Sequence, residues 1–137
     1  MYFIDTNVFI RYMTRDDPQK AEACRLLFER AKQNKVELYT SDAVIAEIVF
    51  VLSSKRLYNL SPQQIQERLQ PMLSLPALKM QNKRTTQRAL VLYAQNQLDF
   101  EDALSIAEME RRQIAEIYSY DTDFDSIVGS DIHRIEP

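Results

Sequence analysis

The sequence contains little glycine, cysteine or histidine and no tryptophan, and these shortages exclude several classes of site. Its 137 residues include one Gly, one Cys and one His. Because phosphate-binding loops need several glycines, Gly129 alone excludes Walker-type and dinucleotide-binding sites. A single thiol, Cys24, allows neither an intramolecular disulfide nor a multi-cysteine zinc site, and we expect it to be a small buried hydrophobe. His133 near the end of the chain, with no nucleophile-elbow sequence, argues against a Ser-His-Asp hydrolase.

Long apolar runs are also missing. No stretch reaches the ~18 uninterrupted apolar residues of a membrane span. The N-terminal residues do not combine a basic region with a long apolar run, as a secretory signal would. With one thiol suited to a reducing compartment, these absences predict a cytoplasmic protein that does not contact membranes.

Carboxylates, by contrast, are plentiful. The chain carries 20 Asp and Glu against 17 Lys and Arg, for a net charge of -3. A bound metal is therefore expected to be hard and oxygen-ligated, Mg²⁺ or Mn²⁺ rather than zinc. The length fits one domain of common size, so residues 1–137 are predicted to form a single domain.

Strand candidates alternate with helix candidates, which predicts an α/β domain with a mostly parallel sheet covered by helices. Helix starts are predicted after Asp17-Pro18, at Ser41 or Asp42, at the Ser61 capping box and at Asp99. Pro71 and Pro76 are expected to bracket a connection. Strands are predicted at residues 1–4, 36–40, 77–80, 114–120 and 132–135.

Acidic residues follow two of these strands. Asp5 ends the first, and Asp121 with Asp123 ends the fourth. Ligands of parallel α/β sheets gather beyond the carboxyl ends of strands. Aspartate is also common at such ends for structural reasons, so either position alone is ambiguous. The two together favour a site.

Two further carboxylates lie within predicted helices. Glu47 interrupts an almost entirely apolar segment, residues 43–52, and burying an unpaired carboxylate costs several kcal/mol. A metal site or active-site cleft is therefore favoured over a lone solvent-facing residue. Asp102 follows Asp99 by three positions. Its negative charge either stabilises the first turn of the helix through the helix dipole or joins the other acids at a site. A cluster of these acids predicts metal-assisted chemistry on an anionic substrate.

At these residues the sequence resembles the PIN-domain family, most closely the VapC-type ribonuclease toxins. The resemblance covers essentially the whole chain and includes the element Asp16-Asp17-Pro18. Four acidic motifs carry it in order: DTNVFIRY at residues 5–12, AEIVFVL at 46–52, DFEDAL at 99–104 and SYDTDF at 119–124. It implies a three-layer α/β/α fold with strand order 3-2-1-4-5, whose reversal lies between the strands that end at Asp5 and Asp121.

The resemblance also implies the site and the activity. The acidic set maps onto Asp5, Glu47, Asp102 and Asp121, with Asp123 as an additional or substitute member. Asp5 and Asp102 are the expected direct metal ligands, and Glu47 and Asp121 complete the shell or hold a second ion. The implied reaction is Mg²⁺- or Mn²⁺-dependent hydrolysis of RNA by a metal-activated water. The implied accessory residues are two hydroxyl side chains and one that orients the site by hydrogen bonding: Thr6, Ser119 and Asn7, respectively.

The implied partners are RNA, a cognate antitoxin protein and a second copy of the chain in a homodimer. Without the five site acids the chain has more basic than acidic residues, so a local basic patch suffices for RNA. Arg11 is the favoured RNA contact because it is nearest in sequence to Asp5. Other basic candidates are Arg15, Lys83, Arg84, Arg88, Arg111 and Arg112. The apolar candidates for a partner surface, if they do not belong to the core, are Val51, Leu52, Leu57 and Tyr58.

Three alternative functions are considered, and particular residues argue against two of them. A PIN nuclease of RNA processing would have the same site but another partner. A non-catalytic interaction module would keep the fold, although the intact acidic set argues against it. An aspartyl-phosphatase or receiver domain also needs an acid after the first strand, but Asn7 stands where the phosphatase expects a second Asp.

Overall fold

Short parallel strands alternate with helices along the chain, as the sequence predicts. The computed structural model describes residues 1–137, which divide into two compact units, Met1–Lys83 and Arg84–Pro137. A single domain over the whole length stays a prediction. No helix combines the length with the apolar character that crossing a bilayer demands. The elements in chain order are β1 (Tyr2–Phe3), α1 (Thr6–Thr14), α2 (Pro18–Lys32), β2 (Leu38–Tyr39), α3 (Asp42–Ser53), α4 (Pro62–Leu73), β3 (Leu78–Lys79), α5 (Lys83–Gln95), α6 (Phe100–Arg112), β4 (Glu116–Tyr118), a 3-10 helix (Thr122–Asp125) and β5 (His133–Ile135).

In the first unit, three parallel strands form a sheet with β2 in the middle. Leu38 pairs with Tyr2 on one side and with Leu78 on the other. Leu38 and Leu78 are fully buried, as expected for a parallel sheet covered by helices. The helices contribute large buried side chains that form the core of this unit: Phe9, Phe28, Ile45, Ile48, Leu52, Ile65, Leu69 and Leu73.

In the second unit, β4 and β5 pair in parallel, with Glu116 opposite His133. Tyr93 and Phe100 meet edge to face, with ring centroids 5.8 Å apart. Buried residues of α5 and α6 recur at helical spacing: Ala89, Leu90, Tyr93, Ala103, Ile106 and Ala107. Phe124, 5% exposed, anchors the 3-10 helix that follows the acidic end of β4.

The strand order agrees with the implied one inside each unit. The first sheet has the order β1-β2-β3 and the second pairs β4 with β5. The implied pairing of β1 with β4, and with it the five-stranded order, remains a prediction. The α/β class with parallel strands is confirmed.

Most predicted helix starts are confirmed. Asp17 accepts a hydrogen bond from the Lys20 amide at 3.2 Å, and Ser41, rather than Asp42, accepts one from the Val44 amide at 3.3 Å. Ser61 and Gln64 form the reciprocal capping box. These side chains satisfy amides that have no partner inside the helix.

The predicted helix start at Asp99 is confirmed, since Asp99 occupies the N-cap position of α6, although its side chain makes no capping hydrogen bond. Two local predictions are wrong. Pro71 lies inside α4 rather than in a connection, since burial of Met72 and Leu73 continues the helix past the missing proline amide. Cys24 is only half-buried, because its position on α2 lies at the border of the buried face.

Replacing Ser61 with alanine should lower the free energy of unfolding by about 1 kcal/mol, because the first turn of α4 loses its capping hydrogen bond. Urea denaturation followed by circular dichroism measures this change. Glu67→Ala on the exposed face of the same helix is the matched control, and its effect should stay within about 0.5 kcal/mol. Equal effects of the two substitutions would contradict the capping role.

Candidate active site

Asp5 lies where β1 passes into α1. It is the N-cap residue of α1, in an extended conformation with φ -99° and ψ -178°, and its side chain makes no capping hydrogen bond. The residue is exposed. Its carboxylate is therefore not used by its own helix. Asn7, also exposed, donates no side-chain hydrogen bond, so its orienting role stays a prediction.

A hydrogen bond between Thr6 and Glu47 joins α1 to α3 next to Asp5. The Thr6 hydroxyl donates to Glu47 Oε2 at 2.6 Å, and Thr6 is 7% exposed. Glu47 is exposed, because it projects from the open side of a helix whose other faces supply the core. Thr40 secures the neighbouring strand ends, since its hydroxyl donates to the Ile4 carbonyl at 3.1 Å. The buried threonine hydroxyl thus gives the Glu47 carboxylate a defined position.

In the second unit, Asp102 is surrounded by other acids. It lies half-buried in the first turn of α6. Partial burial raises the pKa of Asp102, and the negative charge of Asp121 raises it further, followed by smaller contributions from Asp99, Asp123 and Glu101. The structure therefore places Asp102 near the acidic segment that follows β4.

Hydrogen bonds shape that segment. The Asp121 amide donates to Ser119 Oγ at 3.0 Å, and the Asp123 amide donates to Asp121 Oδ1 at 2.9 Å. Arg134 on β5 holds the same segment, since its guanidinium donates to the Ser119 carbonyl at 3.0 Å and to Asp125 Oδ1 at 2.6 Å. Only 13% of its side chain is exposed. Sequence reasoning missed Arg134, because an arginine within a terminal strand carries no signal of its partners.

The donor chemistry of these residues fits a hard divalent cation. The five predicted acids offer only carboxylate oxygens, and none of them forms an ion pair with Lys, Arg or His. Such ligands suit Mg²⁺ or Mn²⁺. Within either unit, however, no three Asp, Glu, His or Cys side chains come close enough together to hold an ion. The ligand type is suitable, and a complete ligand set is not assembled in either unit.

Most of the basic candidates are engaged by protein groups. Arg11 pairs with Asp16 at 3.0 Å, and the Tyr58 hydroxyl donates to the same carboxylate. Together Tyr58 and Arg11 lower the pKa of Asp16. Lys83 donates to the carbonyls of Leu75 and Leu78. The remaining arginine pairs are Arg88 with Glu110, and Arg111 and Arg112 with Glu108. RNA contact by Arg11 stays a prediction, and Arg15 and Arg84 form no ion pair.

The expected apolar partner surface is also changed by the structure. Leu52 is fully buried in the core, so it is not available at a surface. Val51 and Tyr58 are half-buried, and Leu57 is 60% exposed. Phe50, which was not predicted, is 69% exposed on α3.

Comparison with known proteins identifies the family. The PIN domain model matches residues 2–129. The chain belongs to the PIN domain family. A VapC ribonuclease of Aquifex aeolicus (strain VF5) is 25% identical over 124 residues, which make up 90% of this chain and 90% of that protein. Among solved structures, VapC20 of Mycobacterium tuberculosis, a toxin that cleaves the sarcin-ricin loop, covers 91% of this chain and 93% of its own, at 21% identity and a TM-score of 0.41.

All four acidic motifs of the PIN domain lie inside the matched residues, so the resemblance inferred from them is confirmed. Two relations among the site residues are visible within the units: Thr6 with Glu47, and Asp102 with Asp121. The catalytic and metal-binding roles of all these residues, and those of Asp5, Asn7, Asp123 and Ser119, remain predictions.

Replacing Asp102 with asparagine should raise the melting temperature of this PIN domain at pH 7. The folded state raises the pKa of Asp102, so this residue opposes folding when both states are ionised, and the opposition disappears as the pH falls below its ordinary value of 3.8. The gain should therefore vanish below about pH 4. Thermal unfolding between pH 3 and 7 measures it.

Asp131→Asn is the matched control, since Asp131 is exposed and its substitution removes the same charge from the same unit. The interpretation would be abandoned if both variants showed the same pH dependence of melting temperature.

Proposed function

We propose that the protein is a metal-dependent endoribonuclease and the toxin of a toxin–antitoxin module. The observation that carries the proposal is a set of five acids, following β1 and β4 and on α3 and α6, that no basic side chain neutralises. Membership of the PIN domain family and the similarity to a VapC ribonuclease support it. Carboxylate oxygens that no protein group neutralises are ligands that a hard divalent cation can use.

Each acid has a proposed role. Asp5 and Asp102 would hold the cation directly, and Glu47 and Asp121 would complete its ligands or hold a second ion, with Asp123 as an additional member. Thr6 fixes the Glu47 carboxylate through its hydroxyl, and Ser119 fixes the backbone at Asp121. A bound Mg²⁺ or Mn²⁺ would offset the charge of the scissile phosphate and lower the pKa of the attacking water.

The substrate is proposed to be RNA. Cleavage of a phosphodiester bond by in-line attack needs charge stabilisation on the attacking and departing oxygens, which carboxylate-held divalent cations supply. The acids would otherwise repel a polyanion, so a bound cation strengthens RNA binding and basic residues elsewhere supply further phosphate contacts. The similarity to the VapC ribonuclease of Aquifex aeolicus agrees with this substrate class.

Asp5→Asn should reduce RNA cleavage more than about 100-fold, because groups that only support a metal ligand are worth about 10- to 100-fold. The circular dichroism spectrum and melting temperature should stay close to those of the unchanged protein, since Asp5 makes no capping bond. Cleavage of a labelled RNA with and without Mg²⁺ or Mn²⁺ measures the effect.

Asp42→Asn is the matched control for that experiment. Asp42 is an exposed acid at the start of α3 in the same unit and should be replaceable with little loss of cleavage. Cleavage by Asp5→Asn at the control rate, or cleavage undiminished in a chelator, would refute the metal-dependent reaction.

A cognate antitoxin and a homodimer are proposed as protein partners. Phe50 and Leu57 place large apolar side chains at the surface of the first unit, as a partner contact requires. Expression of the chain should arrest growth, and co-expression of a short gene adjacent to its own should relieve the arrest. Arrest that persists with Asp5→Asn would separate toxicity from RNA cleavage and contradict the proposal.

A further inference from the structure

A cavity of about 560 Å³ opens at the C-terminal end of α1. Elements of the first unit alone form it, and it includes none of the acids assigned to catalysis. Its lining is unusually rich in guanidinium groups: Tyr12, Met13, Arg15, Arg25, Glu29 and Arg68. The lining has three arginines against one glutamate, and Glu22 matches the charge of Arg25, so an excess of one positive charge remains in a protein whose net charge is -3.

Arg15 is the arginine of this lining that makes no hydrogen bond or ion pair through its side chain. It ends α1 in a left-handed conformation, with φ 56°, and its amide donates to the Arg11 carbonyl at 3.3 Å. The side chain is exposed and lies close enough to Glu22 to lower the pKa of that carboxyl, after the larger effect of Arg25. Its guanidinium is therefore available to a ligand.

The two other arginines are held in place. Arg25 forms a bidentate pair with Glu22, at 2.9 and 2.7 Å. Arg68 donates one hydrogen bond, at 3.1 Å, to the Met13 carbonyl in the last turn of α1. This bond covers a carbonyl that would repel an anion at the negative end of the helix, and it leaves other N–H groups of Arg68 unused.

The position of the cavity relates it to the candidate active site within the same unit. Asp5 precedes α1 and Arg15 follows it. A helix of nine residues spans roughly 13 Å at about 1.5 Å per residue, so α1 holds Asp5 and Arg15 at a fixed separation. An RNA strand that reaches Asp5 can therefore present another phosphate to the cavity a few nucleotides away.

We propose that this arginine cavity binds a backbone phosphate of the RNA substrate. The proposal rests on the proposed function and adds a second binding point to it. Arginine presents N–H groups in a planar fork that matches phosphate oxygens. Tyr12, which packs on Phe28 with ring centroids 4.8 Å apart, gives the cavity an aromatic wall on which a base can stack. An acidic peptide would use the guanidinium groups but has no base for this wall.

Arg15→Gln tests the proposal through RNA binding measured without cleavage. Fluorescence anisotropy with a labelled single-stranded RNA, in chelator, gives Kd at several salt concentrations. Loss of one phosphate contact should weaken binding about 3- to 10-fold and lower the slope of log K against log salt by about 0.7. In cleavage assays with added Mg²⁺ or Mn²⁺, KM should rise while kcat changes little, since the reacting groups are untouched.

Two further variants make the result specific to the cavity. Arg30→Gln removes the same charge from α2 at an exposed position outside the lining, and its salt slope should equal that of the unchanged protein. Arg15→Lys keeps the charge but loses the fork, so it should retain the slope while binding less tightly. Melting temperatures show that each variant is folded.

The possible results separate this inference from the function on which it rests. If the unchanged protein cleaves RNA but Arg15→Gln and Arg30→Gln bind it equally well, the cavity proposal is refuted and the nuclease proposal stands. If the unchanged protein neither binds nor cleaves RNA, both are refuted. If Arg15→Gln weakens only the binding of a synthetic acidic peptide, the cavity serves a protein partner instead.

Discussion

Uncompensated negative charge is the constraint on which the candidate site depends. Elsewhere in the chain, some acids are paired: Arg111 and Arg112 lower the pKa of Glu108 to about 2, and Arg134 lowers that of Asp125. Asp102 shows the opposite shift, because burial and neighbouring acids disfavour its ionised form. The five site acids form no ion pair inside the protein, so their negative charge is available to an external cation.

Two uncharged hydroxyls and one largely covered arginine support parts of the candidate site. Thr6 donates to the Glu47 carboxylate, and Ser119 accepts from the Asp121 amide, so neither hydroxyl neutralises the acid beside it. Arg134 uses its charge on Asp125 and Glu136 and gives the Ser119 carbonyl only a hydrogen bond. Positioned ligands need support from side chains that are themselves fixed. The low exposure of Thr6 and Arg134 supplies that support while the acids remain accessible.

Local signals in the sequence predicted the helices and strands well, but the sequence could not predict hydrogen bonds between residues far apart in the chain. Caps at Asp17, Ser41 and Ser61 depend on residues three positions apart, so the sequence contains both partners side by side. The Thr6–Glu47 bond joins residues 41 positions apart, and the bond from Arg68 to the Met13 carbonyl joins residues 55 apart. The same limit applies to Glu47, whose apolar neighbours in sequence carry no sign of the distant hydroxyl that donates to it. The prediction that Pro71 lies in a connection was wrong for a related reason, because burial of the residues after it outweighs its local helix-breaking preference.

The distribution of basic residues follows from the same division between paired and unpaired charge. Arg25, Lys32 and Arg111 form ion pairs with glutamates three positions away on their own helices, so much of their charge is already matched. Exposed pairs of this kind contribute little stability, yet they reduce the net field that the helices present to a polyanion. Arg15 forms no such ion pair, because it lies past the end of α1 in a left-handed backbone conformation and belongs to no helix face. Helix α1 therefore has an unpaired acid, Asp5, at one end and an unpaired base, Arg15, at the other. An RNA strand that is bound both through a metal ion and through its own phosphates requires both kinds of charge.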